Sequence, residues 1–581
     1  MKSTTALAIS ILFVMAILMV ASVWNDTATF DELAHIPSGF GYITQLDARL
    51  NPEHPPLLKA IAAASAWFAS HPHFPTDIPS WRDEINGQWD QGRIFLYESG
   101  NNADRIIFWA RVPVMLLALT FGWLFFRWTT TRFGAAAALL ALTFFAFSPT
   151  ILAHGRYVTT DLAAAFGFFI GIITFLKFLE KPSWQNAVYA GVIFGAVQLL
   201  KFSLVLLIPL FILLIIIWIL TYPNQSQRER LHKGLLLIGK SYVIGLIGLA
   251  VVWLAYTLVV WNYPQERQLR DTAATLSNHP VPALVKANLL LVQNRFTRPL
   301  GHYVFGVLMA QQRGASGNTS FFLGNVSAEG SRMYFPLLYL LKEPLALHLL
   351  TLLALVALSL TSYSWLCGKL SLQHIRNLVR NHFIEFSALA FIALYWVVSI
   401  ASPLNIGIRH VMPTFPFIYL LVARGVTQWM RGFRRILIAG GLIASFIGST
   451  LWTFPHFLSF YNILGGGLTS GFRVAVDSNY DWGQDLKRLA HVMETRAIEK
   501  IALDYFGGGN PRYYLGEKFE PWWSARGPAH GWFAISATVR QGAFETPGAG
   551  FISKQEDSYD WLQPFRPVAT AGTSIFIYYL P

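Results

Sequence analysis

The apolar run ALAISILFVMAILMVASVW (6–24) and the polar stretch TFDELAHIPSGFGYITQLDARLNPEHPPLLKAI (29–61) that follows it decide the fold. An apolar segment of about 20 residues crosses a hydrocarbon core of about 30 Å. Lys2 precedes the run and no small-residue cleavage site follows it, so we predict an uncleaved first span with a cytoplasmic amino terminus. Asp31 and Glu32 then lie on the outer side of the membrane. A carboxylate pair there is either solvated or positions a reacting hydroxyl, a cation or a phosphate.

The composition of the whole chain indicates a polytopic α-helical membrane protein. Of its 581 residues, 54% are hydrophobic and only 13% are charged, whereas soluble domains average about 25% charged residues. Lys and Arg exceed Asp and Glu by 44 to 31, and membrane topology explains this excess without nucleic acid. The single cysteine, Cys367, excludes an internal disulfide and a CxxC-type metal or redox site.

The positions of the basic clusters predict about eleven spans, because Lys and Arg in short loops stay on the cytoplasmic side. Two apolar stretches are too long for one helix, and basic residues at both ends of each require a hairpin. Residues 25–104 and 262–343 become two large outer loops. The predicted spans are 6–24, 106–126, two within 134–180, two within 187–220, 235–260, 345–361, 384–401, 411–423 and 436–453.

The tail, residues 454–581, differs in composition from residues 1–453, which we predict to be the transmembrane catalytic domain. The tail gains Gly, Asp and Pro and contains the strand-like runs KIALDYF, GWFAISATV and SIFIYYL. GQDLKRLAHVMETR has the apolar spacing of a helix. We predict a small α/β domain on the outer side. Its segment DSNYDWGQDL contains Trp482, which could contact a sugar, and Asp481 or Ser478, either of which could cap a helix.

This topology brings most of the ionisable residues near span ends to the outer face. Arg111 joins them about five residues into its span, roughly 7–8 Å deep at the helical rise, where polar residues usually line a cavity. Such a cavity would suit a substrate with a phosphate at the membrane and a hydroxyl acceptor that approaches from water. The converging residues are Asp31, Glu32, Glu53, His54, Arg156, Asp161, Lys201, Lys342, Arg409 and His410.

Several of these residues also have a purely structural interpretation. Asp31 and Glu32 could begin a helix, where the macrodipole favours acids. His54 before two prolines could mark a rigid turn, and Arg111 and Lys201 could extend to outer-leaflet headgroups. Arg409 could bind a phosphate with two hydrogen bonds or could anchor the chain at the interface.

A metal site is a further hypothesis for the outer loops. Glu53, His54 or His302 could ligate a divalent cation through carboxylate oxygen or imidazole nitrogen. No HxxH, HExxH or DxD-like spacing in the sequence supports such a site.

The order of these motifs resembles that of the GT-C membrane glycosyltransferases. An Asp-Glu pair (31–32) in the first outer loop is followed by HPPL (54–57), by Arg-Val-Pro (111–113) early in the second span and by HGRYVTTD (154–161) after the third. The arrangement is most similar, over about residues 1–450, to the bacterial branch of the protein O-mannosyltransferases and lipid A aminoarabinose transferases. SNYDWGQDL also resembles a tail segment of bacterial members.

The resemblance implies a polyprenyl-phosphate sugar donor and a catalytic Asp in the first outer loop. Asp31 would be the general base that takes the proton of the acceptor hydroxyl as this attacks the anomeric carbon with inversion, and Glu32 would support its orientation. A leaving phosphate needs fixed positive charge in a partly water-excluded site. The other residues implied for the donor site are His54, Arg111, Arg156, Asp161, Arg409 and His410.

One segment departs from the pattern of the resembled family. Glu53-His54-Pro55-Pro56 is similar to the Glu-Lys-Pro-Pro of aminoarabinose transferases, in which Glu helps to bind a metal and Lys meets the donor phosphate. Here His54 replaces the Lys, which changes the charge at that position.

The expected activity is inverting transfer of a sugar from an undecaprenyl-phosphate-type donor to a hydroxyl of a protein, lipid or glycan. We expect a bacterial inner-membrane location, surrounding lipids as partners, and both the chemistry and the tail on the periplasmic side. Two other functions stay open: an oligosaccharide ligase or polymerase that uses a diphosphate donor, and a lipid-linked sugar transporter or flippase. A transporter predicts ionisable residues at mid-depth and an internal repeat, whereas most of these residues cluster at outer span ends.

Overall fold

A computed structural model describes residues 2–222, 226–366, 371–544, 546–547 and 558–581, and Cys367 lies outside them. Within these residues seven helices are long and apolar enough to cross a membrane, and an eighth span results if Tyr334–Lys342 and Leu345–Ser359, bent by 104°, are counted as one. The seven are Lys2–Val23, Ala103–Phe133, Asp161–Glu180, Phe202–Leu220, Arg228–Val259, Phe383–Ala401 and Phe433–Thr453.

Three of the predicted spans are helices of less than full membrane length. Ala135–Ala146 has 12 residues, and Trp184–Gln198 and Phe415–Trp429 have 15 each, whereas a span needs at least about 17. Two of them are the first helix of a predicted hairpin. Each predicted segment is therefore helical, and the membrane-protein fold class is confirmed, but by length and composition the structure has seven or eight spans where the sequence predicted about eleven.

Both large outer loops are mostly helical. The first contains the helices Glu32–Phe40, Leu57–Ser70, Pro79–Arg82 and Gln88–Arg93, with π-helical turns at Gly41–Gln45 and Ile94–Glu98. The second contains the helices Gln265–Thr275, Pro282–Gln293 and Arg298–Ser316, followed by the antiparallel strands Ser320–Phe322 and Asn325–Ser327.

Aromatic packing joins the membrane helices. Phe121, Phe125, Phe145 and Phe169 come from three helices and pack with ring centroids 4.9 to 6.4 Å apart. Between helices in lipid, such close packing replaces the hydrophobic driving force that water supplies elsewhere. The same hydrophobic core includes the first part of the tail, from Phe457 to Trp482. That part of the tail is therefore packed into the helical domain.

The rest of the tail forms an α/β layer. Its strand residues Phe533, Ile535, Phe576 and Tyr578 still belong to the core of the helical domain. A second, smaller core lies within the layer and includes Leu486 on the helix Leu486–Thr495. The three predicted strand-like runs and the predicted helix are all present. The five-stranded sheet has the order Phe519–Pro521, Ile501–Asp504, Gly531–Ser536, Ile575–Leu580, Ala569–Ala571, in which the first two neighbouring pairs are parallel and the last two antiparallel.

Candidate active site

Asp31 and Glu32 stand at the amino end of the helix Glu32–Phe40 but have different surroundings. The Glu32 side chain is completely buried. Its carboxylate accepts hydrogen bonds from the backbone N–H groups of Thr29 at 2.9 Å and Val158 at 3.0 Å. Arg111 adds two more, at 2.8 and 2.7 Å. Glu32 thus joins the first outer loop, the second span and the turn after Arg156.

The guanidinium of Arg111 is fully engaged inside the protein. Besides its two bonds to Glu32, it donates to the carbonyl oxygens of Asp26 at 3.1 Å and Thr27 at 2.7 Å. Its side chain is only 2% exposed. Arg111 therefore packs against the segment that leads into Asp31, and each of the three guanidinium nitrogens of Arg111 already has an acceptor.

Asp31 belongs to a network of two carboxylates and two cations. The Arg409 Nη1 atom lies 2.7 Å from Asp31 Oδ2 and 3.1 Å from Asp161 Oδ2. Lys201 Nζ lies 2.5 Å from the other oxygen of Asp161. The Asp31 side chain is 21% exposed, against 2% for Asp161. Asp31 is therefore the more accessible carboxylate of the two that Arg409 joins.

The neighbouring cation keeps Asp31 ionised. Burial alone would raise the pKa of the Asp31 carboxyl, but the positive charge of Arg409 and its hydrogen bond outweigh burial. The net result is a pKa below the ordinary value of an aspartate. Asp31 is consequently ionised at neutral pH, and its carboxylate is available to accept a proton.

Two imidazoles lie beside Asp31. His35 follows it by one helical turn, donates through Nδ1 to the Val158 carbonyl at 2.8 Å, and packs edge-on against His54 with ring centroids 4.9 Å apart. Because the carbonyl is an acceptor, Nδ1 of His35 carries the proton. Burial lowers the pKa of both imidazoles, and the neighbouring cations Lys59 and Lys201 lower that of His54 further. Both rings are therefore neutral.

Lys59 holds the turn that carries His54. Its Nζ donates to Tyr42 Oη at 2.7 Å, to the side chain and carbonyl of Asn51 at 2.6 and 3.0 Å, and to the His54 carbonyl at 2.8 Å. This agrees with the rigid-turn interpretation of the HPPL motif. Sequence reasoning missed Lys59 and His35. The available signals were a lone Lys within an apolar helix and a His one turn after Asp31.

The surroundings of Glu53 do not fit a divalent cation. Its oxygens accept from Gln88 at 3.2 Å, Asn51 at 3.5 Å and the Arg313 guanidinium at 3.1 Å. Within the described ranges no group of three or more His, Cys, Asp or Glu side chains gathers around a common point. His302 packs elsewhere, against aromatic rings. A guanidinium on the proposed ligand opposes metal binding, so this donor set gives the metal hypothesis no support.

Arg156 and His410 lie in different surroundings. The Arg156 side chain is 1% exposed, lies 3.3 Å from Asp26 Oδ2 and packs over the rings of Tyr157 and Phe457. The His410 ring faces Phe335, and burial, Lys201 and Arg409 lower the pKa of His410 well below its ordinary value. His410 is thus a neutral neighbour of the network, and Arg156 pairs with a different carboxylate.

The tail segment DSNYDWGQDL packs directly on Arg409. The Trp482 ring lies under the guanidinium, with 4.3 Å between the ring centroid and the Arg409 carbon Cζ, and Trp482 is 1% exposed. Ser478 Oγ accepts from Arg409 Nε at 3.1 Å. The following helix begins at Leu486, after Asp485. The structure corrects both earlier interpretations, because Trp482 is not open to a sugar and neither Asp481 nor Ser478 caps the helix that follows. Asp481 instead accepts from the Thr538 N–H at 2.8 Å, in the first turn of the helix Ala537–Phe544.

Comparisons with known proteins bear out the resemblance over part of the chain. The family model described as dolichyl-phosphate-mannose-protein mannosyltransferase matches residues 103–260. This range contains Arg111, Arg156, Asp161 and Lys201. None of the curated proteins matches the chain. Over these residues the match confirms the resemblance to the GT-C membrane glycosyltransferases.

Two solved structures are similar to the chain at low identity. One is the S. cerevisiae protein O-mannosyltransferase Pmt1-Pmt2 complex bound to the sugar donor, with 15% identity, a TM-score of 0.33, and coverage of 45% of this chain and 34% of that one. The chain thus spans about a third of the length of that mannosyltransferase. The other is ArnT from Cupriavidus metallidurans in the apo state, with 12% identity, a TM-score of 0.30, and coverage of 99% and 98%. TM-scores this low assign no role to a residue.

Proposed function

We propose that this protein is an inverting glycosyltransferase that transfers a sugar from a polyprenyl-phosphate donor, of the undecaprenyl type, to a hydroxyl acceptor on the periplasmic side of a bacterial inner membrane. The observation that carries the proposal is the accessible Asp31 carboxylate in one network with two cations, the buried Arg409 and the partly buried Lys201. A base next to fixed positive charge matches a reaction in which a hydroxyl loses a proton while a phosphate leaves.

Asp31 acts as the general base. The acceptor hydroxyl attacks the anomeric carbon and transfers its proton to a carboxylate oxygen of Asp31. The bond between that carbon and the phosphate oxygen breaks, and the phosphate takes the electron pair. Because Arg409 holds one oxygen, Oδ2, at 2.7 Å, the carboxylate has a fixed direction. A base positioned in this way contributes typically about a hundred- to ten-thousand-fold in rate.

Arg409 and Lys201 supply positive charge for the leaving phosphate. Without a donor, both cations contact Asp161. An incoming phosphate therefore replaces part of an existing ion pair, which avoids leaving either cation unpaired in a buried site. Glu32 and Arg111 support the site from below by fixing the loop that carries Asp31.

The test uses the purified full-length chain in lipid nanodiscs with a labelled polyprenyl-phosphate sugar and candidate acceptors. Polyprenyl phosphate should be released only when an acceptor is present, with inversion at the anomeric carbon. Release only from diphosphate donors would instead identify a ligase or polymerase. Movement of the labelled lipid across the bilayer without chemistry would identify a flippase.

The matched variants are Asp31→Asn and Asp90→Asn. Asp90 is in the same outer loop, but its side chain is 57% exposed and pairs with the exposed Arg93. Asp31→Asn should lower the turnover rate by about a hundred- to ten-thousand-fold, with normal membrane insertion and melting, while Asp90→Asn keeps full activity. Normal transfer by a folded Asp31→Asn protein would eliminate Asp31 as the base.

A further inference from the structure

The tail segment 478–484 contacts both loops that supply the central ion pair. On one side, the Phe30 N–H donates to the Trp482 carbonyl at 3.0 Å, directly before Asp31. On the other side, the Ile408 N–H donates to Asn479 Oδ1 at 2.9 Å, directly before Arg409. One short segment therefore fixes the backbone on either side of an ion pair whose members are 378 residues apart.

The same segment also fixes the plane of the Arg409 guanidinium. Ser478 binds its Nε edge, Trp482 covers one face, and Nη1 then points between Asp31 and Asp161. A free arginine side chain samples many rotamers, so an edge contact and a face contact together restrict it to one orientation. A hydrogen bond to a charged group and a desolvated cation–π contact are each among the stronger non-covalent interactions.

The backbone opposite Ser478 is shaped for this contact. Gly407 has a φ of +154°, and a Cβ atom there would lie 2.3 Å from Ser478 Oγ. Ser478 also donates to the Ile406 carbonyl at 2.5 Å, and Asn479 is held in turn by Tyr334 at 2.9 Å. Only a glycine at position 407 lets the tail approach the Arg409 loop this closely.

We propose that Ser478, Asn479 and Trp482 are positioning residues of the active site, which hold the Arg409 guanidinium between Asp31 and Asp161. The consequence is that the tail takes part in building the active site: without this segment neither the base nor the phosphate-binding cation has its working orientation. The kinetic part of this inference rests on the proposed glycosyltransferase function, whereas the contact itself does not.

The first test needs no substrate. Hydrogen–deuterium exchange of the full-length protein is measured over residues 402–411 in Ser478→Ala and in Gly407→Ala, with Trp523→Leu as control. Trp523 belongs to the tail but is 53% exposed. Exchange of this loop should rise about tenfold in the first two proteins and stay at the native level in the control. Native exchange in Ser478→Ala would overturn the inference, whatever reaction the protein catalyses.

The second test compares Trp482→Phe with Trp482→Leu, which leave gaps of similar size but differ in whether an aromatic face remains for Arg409. The turnover number should be at least several-fold higher for the Phe protein, with the acceptor KM alike in both. A purely structural role predicts equal turnover in the two proteins. If neither protein folds, Ser478→Ala serves in their place, with an expected loss of about tenfold in turnover at unchanged acceptor KM.

The two tests separate the possible failures. If the wild type transfers no sugar but Ser478→Ala raises exchange of the loop, the proposed function fails and the contact stands. If the wild type is active and Ser478→Ala raises exchange without changing turnover, the contact exists but does not position the reacting groups, and the inference is overturned.

Discussion

Replacing Arg111 with methionine should destabilise the protein without a specific effect on donor binding. The substitution removes the two hydrogen bonds from Arg111 to Glu32. The Glu32 carboxylate would then keep only its contacts with Thr29 and Val158 in a fully buried site. Breaking one partner of a buried ion pair costs about 3–5 kcal/mol, because an uncompensated charge stays behind. We therefore expect a lower melting temperature of the purified chain in detergent, followed through its intrinsic tryptophan fluorescence.

A double variant and a matched control sharpen this prediction. Glu32→Gln combined with Arg111→Met removes both charges and should recover part of the lost stability, since no unpaired buried charge remains. Arg105→Met, on the exposed face of the same helix, should melt like the wild type. The donor KM of the folded Arg111→Met protein should be unchanged.

The opposite result has a clear meaning. If Arg111→Met keeps the native melting temperature but raises the donor KM, the guanidinium must leave Glu32 to bind the donor phosphate. The role that the resemblance implies for Arg111 would then hold, and the interpretation of Glu32 and Arg111 as a structural pair would be wrong.

Three further predictions concern the site itself. Lys201→Met should raise the donor KM about tenfold or more with little change in the acceptor KM, because one of two cations facing the phosphate is lost; an equal rise in both KM values would contradict this role. The rate profile should show an inflection at about pH 6, because burial raises the pKa of Asp477, which faces Arg409 and Asp31, to about 6. Below that pH Asp477 is protonated and its charge is lost, so Asp477→Asn should remove the inflection. Asp31 itself stays ionised across this range because its pKa is lowered, and an inflection that persists in Asp477→Asn would point to an imidazole. Chelation with EDTA should leave transfer unchanged, since the Arg313 guanidinium already pairs with the Glu53 carboxylate. Loss of activity in EDTA that a divalent cation restores would contradict this expectation.

Hydropathy and charge were sufficient to predict the helices, because the cost of exposing backbone to lipid leaves few alternatives. Every predicted span contains a helix. Their lengths were predicted less well: Ala135–Ala146 ends early because a second short helix, Pro149–His154, takes over the turn. A continuous apolar run contains little information about where such a break falls.

The candidate site was predicted in its location more than in its contacts. Arg111 was expected close to Asp31 and Glu32, and it is, yet its partners include the backbone carbonyls of Asp26 and Thr27. Backbone acceptors have no sequence signature, so the sequence could not distinguish a phosphate-binding arginine from one already saturated. The contact between Trp482 and Arg409 was missed for a related reason, since no local pattern links two residues so far apart in the chain.

The arrangement of Asp31, Arg409 and Trp482 has a consequence for how the protein is made. Asp31 follows the first helix to be synthesised, whereas Trp482 belongs to the last quarter of the chain. A nascent chain that has inserted all its helices still lacks the segment that orients Arg409. If this segment positions Arg409 as proposed, a nascent chain cannot turn over before residues 478–484 have left the ribosome and docked.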